Sequence, residues 1–395
     1  MKKIVLAFSG GLDTSFCVPY LIEKGFDVYT IFINSGGISQ KQEKIIEKKA
    51  YQLGAKKHVS KNVEKELCKS IVTPLLWSDS VYQNKYPILC SDRYLIVQEM
   101  VNLCKKLKTN YISHGCTGMG NDQVRFDLSI HANGNFKIIT PIREIQKEYK
   151  NIRDHELSFL KKKGFKVPNI SKKYSVNENL LGVTISGSEI DSFDEPSDET
   201  YVLCNPPEKQ LKRAKKIVIE FNKGSIKSIN GVNINTSDAV KNLNKIGGKY
   251  GIGREIVIND TIIGIKGRIV FEAPGISLLK IAHQALEEAV LTAKQNEFKK
   301  FVGNKWVELL YQGFYFDPLR KNLETFLKDT QSKVTGKVTL ELNAGKADAV
   351  KIDSRHILNS KDATYAQSAS WSIEESQGFI KLYGLSTKTW SEINK

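Results

Sequence analysis

The sequence predicts an α/β protein: a parallel, doubly wound sheet, then an α+β domain and a short C-terminal tail. Three observations predict it. An apolar run, Ile4 to Phe8, passes directly into Ser9-Gly10-Gly11-Leu12-Asp13-Thr14-Ser15 and then into a helical pattern. Strand-like and helix-like segments alternate as far as about residue 165. Beyond that point the texture changes to short hairpin runs and one long amphipathic helix.

Taken in order, the strand at Ile4–Phe8 leads to a helix expected over Phe16–Glu23. A second apolar strand, Val28–Ile33, ends in Asn34-Ser35-Gly36-Gly37. A helix over Gln40–Leu53 stops at Gly54, and polar helices are expected over Val63–Leu76 and Leu95–Leu107. Tyr111–Ser113 and Lys137–Thr140 read as further strands running into turns. In such sheets ligands lie beyond the carboxyl ends of the strands, so Ser9–Gly11, Asn34–Gly37 and His114-Gly115 should share one edge. From Ile217 to Asn233, Asn222-Lys223-Gly224 and Asn230-Gly231 punctuate a hairpin meander. A short helix (Ser237–Ile246), a glycine-rich turn (Gly247 to Gly253), two strands and a long helix from Ser277 follow. The expected domains are 1–167, 168–367 and a tail, 368–395, whose apolar Phe379, Ile380, Leu382 and Tyr383 need a surface to dock on.

Composition narrows the class. The chain has 395 residues, 41% apolar and 26% charged, enough for more than one core. Met1-Lys2-Lys3 and Ile4–Phe8 imitate a secretion signal only faintly, because Ser9-Gly10-Gly11 and Asp13 cut the apolar run short. No apolar stretch approaches the roughly 20 residues a membrane span needs, and a cytoplasmic location is expected. Six scattered cysteines without a Cys-x-x-Cys pair fit reduced, packed thiols rather than a disulfide or zinc framework. The net charge of +16 comes mainly from dispersed lysines, which fits a solvated surface better than a nucleic-acid face.

The first motif is built for phosphate. Paired glycines let successive N–H groups converge, Ser9, Thr14 and Ser15 add hydroxyls, and the helix behind presents its positive end. No Gly-Lys-Ser/Thr follows, so this is not a Walker loop. It resembles the PP-loop of enzymes that cut ATP into AMP and pyrophosphate. A second motif runs from Ser113 to Phe126. Gly115, Gly118 and Gly120 allow close backbone approach, Thr117, Asn121 and Asp122 offer hydrogen-bond partners, and Arg125 offers a fork for a carboxylate. That combination suits an amino acid.

With both motifs in view, the chain resembles the argininosuccinate synthase family over nearly its whole length. The carriers are Ser9–Ser15, His114–Gly118, Gly120-Asn121-Asp122-Gln123-Val124-Arg125-Phe126 and Tyr174–Leu180. Gly251-Ile252-Gly253-Arg254, Glu272-Ala273-Pro274-Gly275 and Gly378-Phe379-Ile380 add to them. The resemblance implies a HUP-like, homotetrameric ligase that condenses citrulline with aspartate using ATP and Mg²⁺, through a citrullyl-AMP intermediate. It implies ATP contacts at Ala7, Phe8, Ser9, Gly10, Gly11, Leu12, Asp13, Thr14, Ser15, Ile33 and Gly115. Aspartate falls to Thr117, Asn121 and Asp122, and the acceptor to Tyr86, Ser91, Asn121, Arg125, Ser175, Thr184, Asn259 and Phe271. Ser9, Asp13, Asp122 and Arg125 are the expected catalytic group, and no protein ligand set for the metal is read.

The acceptor side departs from the family. Asn259 and Phe271 stand where a carboxylate and a phenol are usual, Thr184 replaces a serine, and Met119 a lysine. The Tyr86–Arg93 segment is one residue short, which leaves Cys90 and Ser91 competing for one position. Two alternatives therefore stand beside the leading reading: a relative that uses a different ureido or carbonyl acceptor, and a PP-loop tRNA-thiolating enzyme. The latter usually needs a reactive cysteine pair and an added RNA-binding module, and neither is evident.

Overall fold

The computed structural model describes residues 1–165, 174–360 and 362–395. The chain forms one compact unit over Met1–His356 and a second over Ile357–Lys395. The boundary expected at residues 167 and 168 lies outside the described residues.

The first half carries β1 (Lys2–Ala7), α1 (Leu12–Glu23), β2 (Phe26–Asn34), α2 (Gln40–Gln52), β3 (Lys57–Asn62), α3 (Glu64–Leu67) and α4 (Thr73–Ser78). It continues with α5 (Asp92–Leu107), β4 (Tyr111–Ser113), α6 (Asn121–Ala132), β5 (Lys137–Ile139), α7 (Pro141–Ile145) and α8 (Ile152–Lys162). The five strands form a parallel sheet in the order β3-β2-β1-β4-β5. β1 is apolar on both sides because both sides are covered. Ile4, Leu6 and Phe8 enter one hydrophobic cluster, and Val5 and Ala7 the other. The order reverses between β1 and β4, which places the crevice for a ligand between the loops that follow them.

Several expected elements differ. α1 begins at Leu12 rather than Phe16, with Gly11 as its N-cap, so Asp13, Thr14 and Ser15 sit in its first turn. The segment expected as one polar helix is α3, a π-helical turn over Cys68–Val72, and α4. It is not a surface helix: Leu67, Ile71, Val72, Leu75 and Leu76 are core. Asn121–Phe126, read as loop, opens α6 behind the N-cap Gly120.

The second half carries β6 (Ser175–Asn179), β7 (Gly182–Ser186), β8 (Lys215–Asn222), β9 (Ser225–Ile229), β10 (Val232–Asn233), α9 (Thr236–Lys249), β11 (Arg254–Asp260) and β12 (Lys266–Glu272). Then come α10 (Pro274–Val290), α11 (Ala293–Gln312), α12 (Pro318–Thr330), β13 (Gly336–Asn343) and β14 (Lys346–Asp353). Two antiparallel sheets result, β11-β12-β7-β6 and β10-β9-β8-β13-β14. Gly247 and Gly248 belong to α9 and not to a turn; a Cβ on Gly248 would stand 2.2 Å from the Leu203 carbonyl oxygen. α10 starts at Pro274, three residues before its expected start, because proline suits a first helical position. The two halves interlock at the sheet edge. Leu180 N–H donates to the Ser35 carbonyl at 2.9 Å, and Asn179 Nδ2 to the Leu89 carbonyl at 2.7 Å.

In the second unit, α13 (Ile373–Tyr383) opens on a capping box between Ser372 and Glu375, and α14 (Leu385–Ile393) follows Gly384. Neither helix buries a residue, and Phe379, Ile380, Leu382, Tyr383 and Trp390 are exposed.

Candidate active site

The phosphate loop sits at the carboxyl end of central β1. Gly10 takes φ +75°, a value glycine adopts without strain. The Gly11 N–H points to Ser9 Oγ at 3.3 Å, and Ser9 Oγ lies 3.2 Å from Thr14 Oγ1. Both hydroxyls border the open side of the loop. Ser15 is different: it is buried, and its hydroxyl donates to the Gly11 carbonyl at 2.6 Å. It shapes the turn and does not face it. The side chains of Ala7, Phe8 and Ile33 belong to the core, so these three can offer a nucleotide only backbone.

The second motif meets the first at Gly115. A Cβ there would stand 3.0 Å from Thr14 Cγ2 and 3.5 Å from Asp13 Cβ, so this glycine allows the two loops to touch. His114 is fully buried; its Nε2 lies 2.8 Å from Asp127 Oδ1, and its Nδ1 accepts from Cys116 N–H at 3.2 Å. Burial lowers its pKa, and both nitrogens are used to hold the loop. Gln146 adds an acceptor for the Gly118 N–H at 2.7 Å.

Under the loop lies a second carboxyl. Glu156, from α8, is buried against Asp13 with Oε1 lacking a hydrogen-bond partner. Burial and the neighbouring Asp13 raise its pKa to about 8, so it holds a proton at neutral pH. Burial also raises the Asp13 pKa.

Across the edge, the first two turns of α6 carry Asn121, Asp122 and Arg125. Asp122 is gripped by two arginines: Arg93 Nε at 3.1 Å and Arg125 Nη1 at 2.7 Å. Burial alone would raise the Asp122 pKa, but the two guanidinium groups overcome it and hold it at about 2. Arg93 also donates to Asp92 at 2.6 Å and to Asn177 at 3.1 Å, and Asp92 accepts from Ser35 at 2.9 Å. Tyr311, from α11, closes this cluster. Its hydroxyl accepts from Asn121 Nδ2 at 3.2 Å, its carbonyl accepts from Arg125 Nε at 2.9 Å, and its ring stacks on Tyr82 at 3.6 Å. Sequence reasoning missed Arg93 as a site residue and Tyr311 altogether. Arg93 closes the Tyr86–Arg93 segment, which was read for register only, and is the second residue of α5; nothing local marks Tyr311.

The strand register assembles the acceptor side. Phe271 pairs with Thr184, and Thr184 with Asn177, so these share a sheet face with Ser175, two residues along β6. Tyr86 packs edge-on to Phe271 at 5.8 Å, with its hydroxyl 3.4 Å from Thr184 Oγ1. Asn259 is buried on that same face, and Glu255, opposite Phe271, brings an exposed carboxylate to it. Two other acids near by are committed. Glu272 accepts from the N–H groups of Val202, Leu203 and Cys204, and Asp260 pairs with Lys266 and Gln83. Ser91 is fully buried, its hydroxyl donating to the Ile88 carbonyl at 2.7 Å, whereas Cys90 lies in the field of Arg125 and Arg93.

A glycine-rich loop at the end of a central parallel strand thus faces an arginine–carboxylate cluster across the switch point of the sheet. The comparisons with known proteins carry this further. Residues 3–166 match the family model of the arginosuccinate synthase N-terminal HUP domain, and residues 174–390 that of the arginosuccinate synthase C-terminal domain. The argininosuccinate synthase of Xanthomonas campestris is 49% identical over 394 residues, covering 100% of this chain and 99% of the relative. That of Xylella fastidiosa is 48% identical, covering 100% and 98%. That of Methanocaldococcus jannaschii is 38% identical over 392 residues, covering 98% and 97%. The chain belongs to the argininosuccinate synthase family. The tRNA-thiolating alternative finds no support among these matches.

Proposed function

We propose that this chain joins L-citrulline to L-aspartate, cleaving ATP to AMP and pyrophosphate and releasing argininosuccinate. The observation that carries the reading is the meeting of two loops at Gly115, which sets the phosphate cradle beside the amino-acid cluster. The ureido oxygen of citrulline attacks the α-phosphorus and the Pα–O bond to pyrophosphate breaks. The aspartate amine then attacks the ureido carbon, loses a proton, and AMP departs with the former ureido oxygen. Ser9, Gly10, Gly11 and Thr14 hold the phosphates and stabilise the charge that collects on the departing pyrophosphate. Thr117, Asn121 and Asp122 hold aspartate. Tyr86, Thr184, Ser175, Asn121 and Arg125 orient citrulline. No side chain needs to become a covalent nucleophile, so the rate rests on positioning.

Among the described residues no cluster of three metal-ligating side chains occurs. We propose a Mg²⁺ ion carried mainly by the phosphates and water, with Asp13 as the nearest loop carboxylate; bound there, it would neutralise phosphate charge. Asn259 and Phe271 bring neither a carboxylate nor a phenol to the acceptor wall and leave Glu255 as the charge on that sheet face, which weakens the hold on the citrulline ammonium. We further propose a cytoplasmic homotetramer, with domains at 1–167 and 168–367 and with residues 368–395 binding neighbouring subunits through their exposed apolar side chains. Incubation with ATP, Mg²⁺, citrulline and aspartate tests the reaction. Equal amounts of AMP, pyrophosphate and argininosuccinate are expected; ADP and phosphate would overturn it.

A further inference from the structure

The phosphate loop has a neighbour that the motif does not contain. Lys49, in the last turn of α2, sends Nζ to within 2.6 Å of the Gly10 carbonyl oxygen. Beside it, Ile46 packs against the Gly10 position, with side-chain carbons 3.3–3.9 Å from where a Cβ would stand. Gly10 and Gly11 share a trans peptide, whose C=O and N–H point in opposite directions. Holding the carbonyl from the α2 side therefore turns the Gly11 N–H the other way, towards Ser9 Oγ on the open side of the loop. Ser15 Oγ reaches the same carbonyl only at 3.4 Å, so without Lys49 the glycine peptide could rotate and lose that aim at little cost.

The charge on Lys49 adds a second observation. The side chain is only partly exposed, yet among the described residues no carboxylate lies within ion-pair distance of it. Among the described residues its one side-chain hydrogen bond is to Gly10, and burial lowers its pKa. A half-buried ammonium without a counter-charge is costly. Beside a loop shaped for phosphate, the missing counter-charge is a ligand's.

We infer that Lys49 is a positioning residue of the phosphate site: it locks the Gly10–Gly11 peptide so that its N–H faces the leaving pyrophosphate, and it adds uncompensated positive charge behind that peptide. The inference rests on the reading of Ser9–Ser15 as the ATP loop. It makes Lys49 specific for the β and γ phosphates, and indifferent to adenosine, citrulline and aspartate.

Calorimetric titration of the full chain with inorganic pyrophosphate and, separately, with AMP tests it, alongside the three substrate KM values. Lys49→Met should weaken pyrophosphate binding and raise the ATP KM by roughly 10- to 100-fold, the range for losing a charge-assisted contact. AMP affinity and the KM values for citrulline and aspartate should stay within about twofold. Lys49→Arg, which keeps the charge, should recover most of the loss. Lys49→Gln is measured beside them, so that a folding defect peculiar to methionine does not decide the outcome. Pyrophosphate binding at the wild-type level in Lys49→Met or Lys49→Gln would overturn the inference. An equal loss of AMP and pyrophosphate, or an arginine variant as weak as the neutral ones, would do so too. A wild-type chain that binds neither ATP nor pyrophosphate would instead remove the loop assignment itself.

Discussion

Asp122→Asn separates the amino-acid site from the nucleotide site. Asp122 lies between two guanidinium groups, at 2.7 Å from Arg125 and 3.1 Å from Arg93. With charge centres about 4 Å apart and an effective dielectric constant near 20, each pair is worth roughly 4 kcal/mol of Coulomb energy. The net cost of the substitution is smaller for three reasons. About a third of the Asp122 side-chain surface, 35%, reaches solvent, which screens both pairs. Asparagine keeps the shape and one acceptor oxygen, and Asp92 still holds Arg93 at 2.6 Å. A loss of about 2–3 kcal/mol in folding stability remains, below the roughly 3–5 kcal/mol for breaking a fully buried pair. The sign with pH is fixed by a folded pKa of about 2, below the ordinary value of 3.8. The contribution is present above pH 3.8 and fades only as pH falls towards 2, so the wild-type-minus-variant difference should be flat from pH 5 to 8. Function should divide unevenly. The kcat/KM for aspartate should fall about 10- to 100-fold through the lost charged contact, while ATP affinity changes by about twofold or less. Denaturant melts and separate titrations of ATP and aspartate check this. Equal loss of both affinities would mean a collapsed fold, and unaltered aspartate use would make Asp122 a purely structural link between the arginines.

Three further outcomes are expected. Glu156 has a folded pKa of about 8, above its ordinary 4.5, so the stability it lends is full below pH 4.5 and is lost as pH rises towards 8; Glu156→Gln should abolish that decline, read as a smaller drop in melting temperature between pH 6 and 9 than wild type shows. Restoring an anion and a hydroxyl by Asn259→Glu with Phe271→Tyr should improve citrulline kcat/KM, by up to about 2–4 kcal/mol of binding and less where Glu255 already supplies charge; an efficient wild type that the double substitution harms would contradict the weak-hold reading. Truncation before Ser368 should lower the oligomeric mass seen by light scattering, and an unchanged mass would free the tail from that role.

The parallel sheet was legible because its central strands are buried on both faces and read as unbroken apolar runs ending in glycine. β3 was not: as an edge strand with mostly exposed Lys57, Ser60, Lys61 and Asn62, it lacks that signal. α6 was hidden by composition, since Gly120, Asn121 and Asp122 are turn formers, although Gly120 at the N-cap and Asp122 in the first turn are also ordinary helix-start chemistry. The phosphate loop was visible as a contiguous string. Its supports were not, because Lys49 and Glu156 arrive from α2 and α8 and meet the loop only after the layers pack. The same holds for Tyr311, nearly 200 residues from the Asn121 it touches, at a separation of 190. Ser91 shows the opposite error: a hydroxyl that suits a ligand in sequence is spent on the Ile88 carbonyl.

In the proposed reaction the acceptor's ureido oxygen is adenylated at the loop before aspartate attacks. Citrulline labelled with ¹⁸O at the ureido position tests it directly, followed by mass analysis of the products of one turnover with ATP and aspartate. The label is expected in the phosphate of AMP, with none in pyrophosphate and none in argininosuccinate. Label in pyrophosphate, in free phosphate or in water would contradict attack at the α-phosphorus.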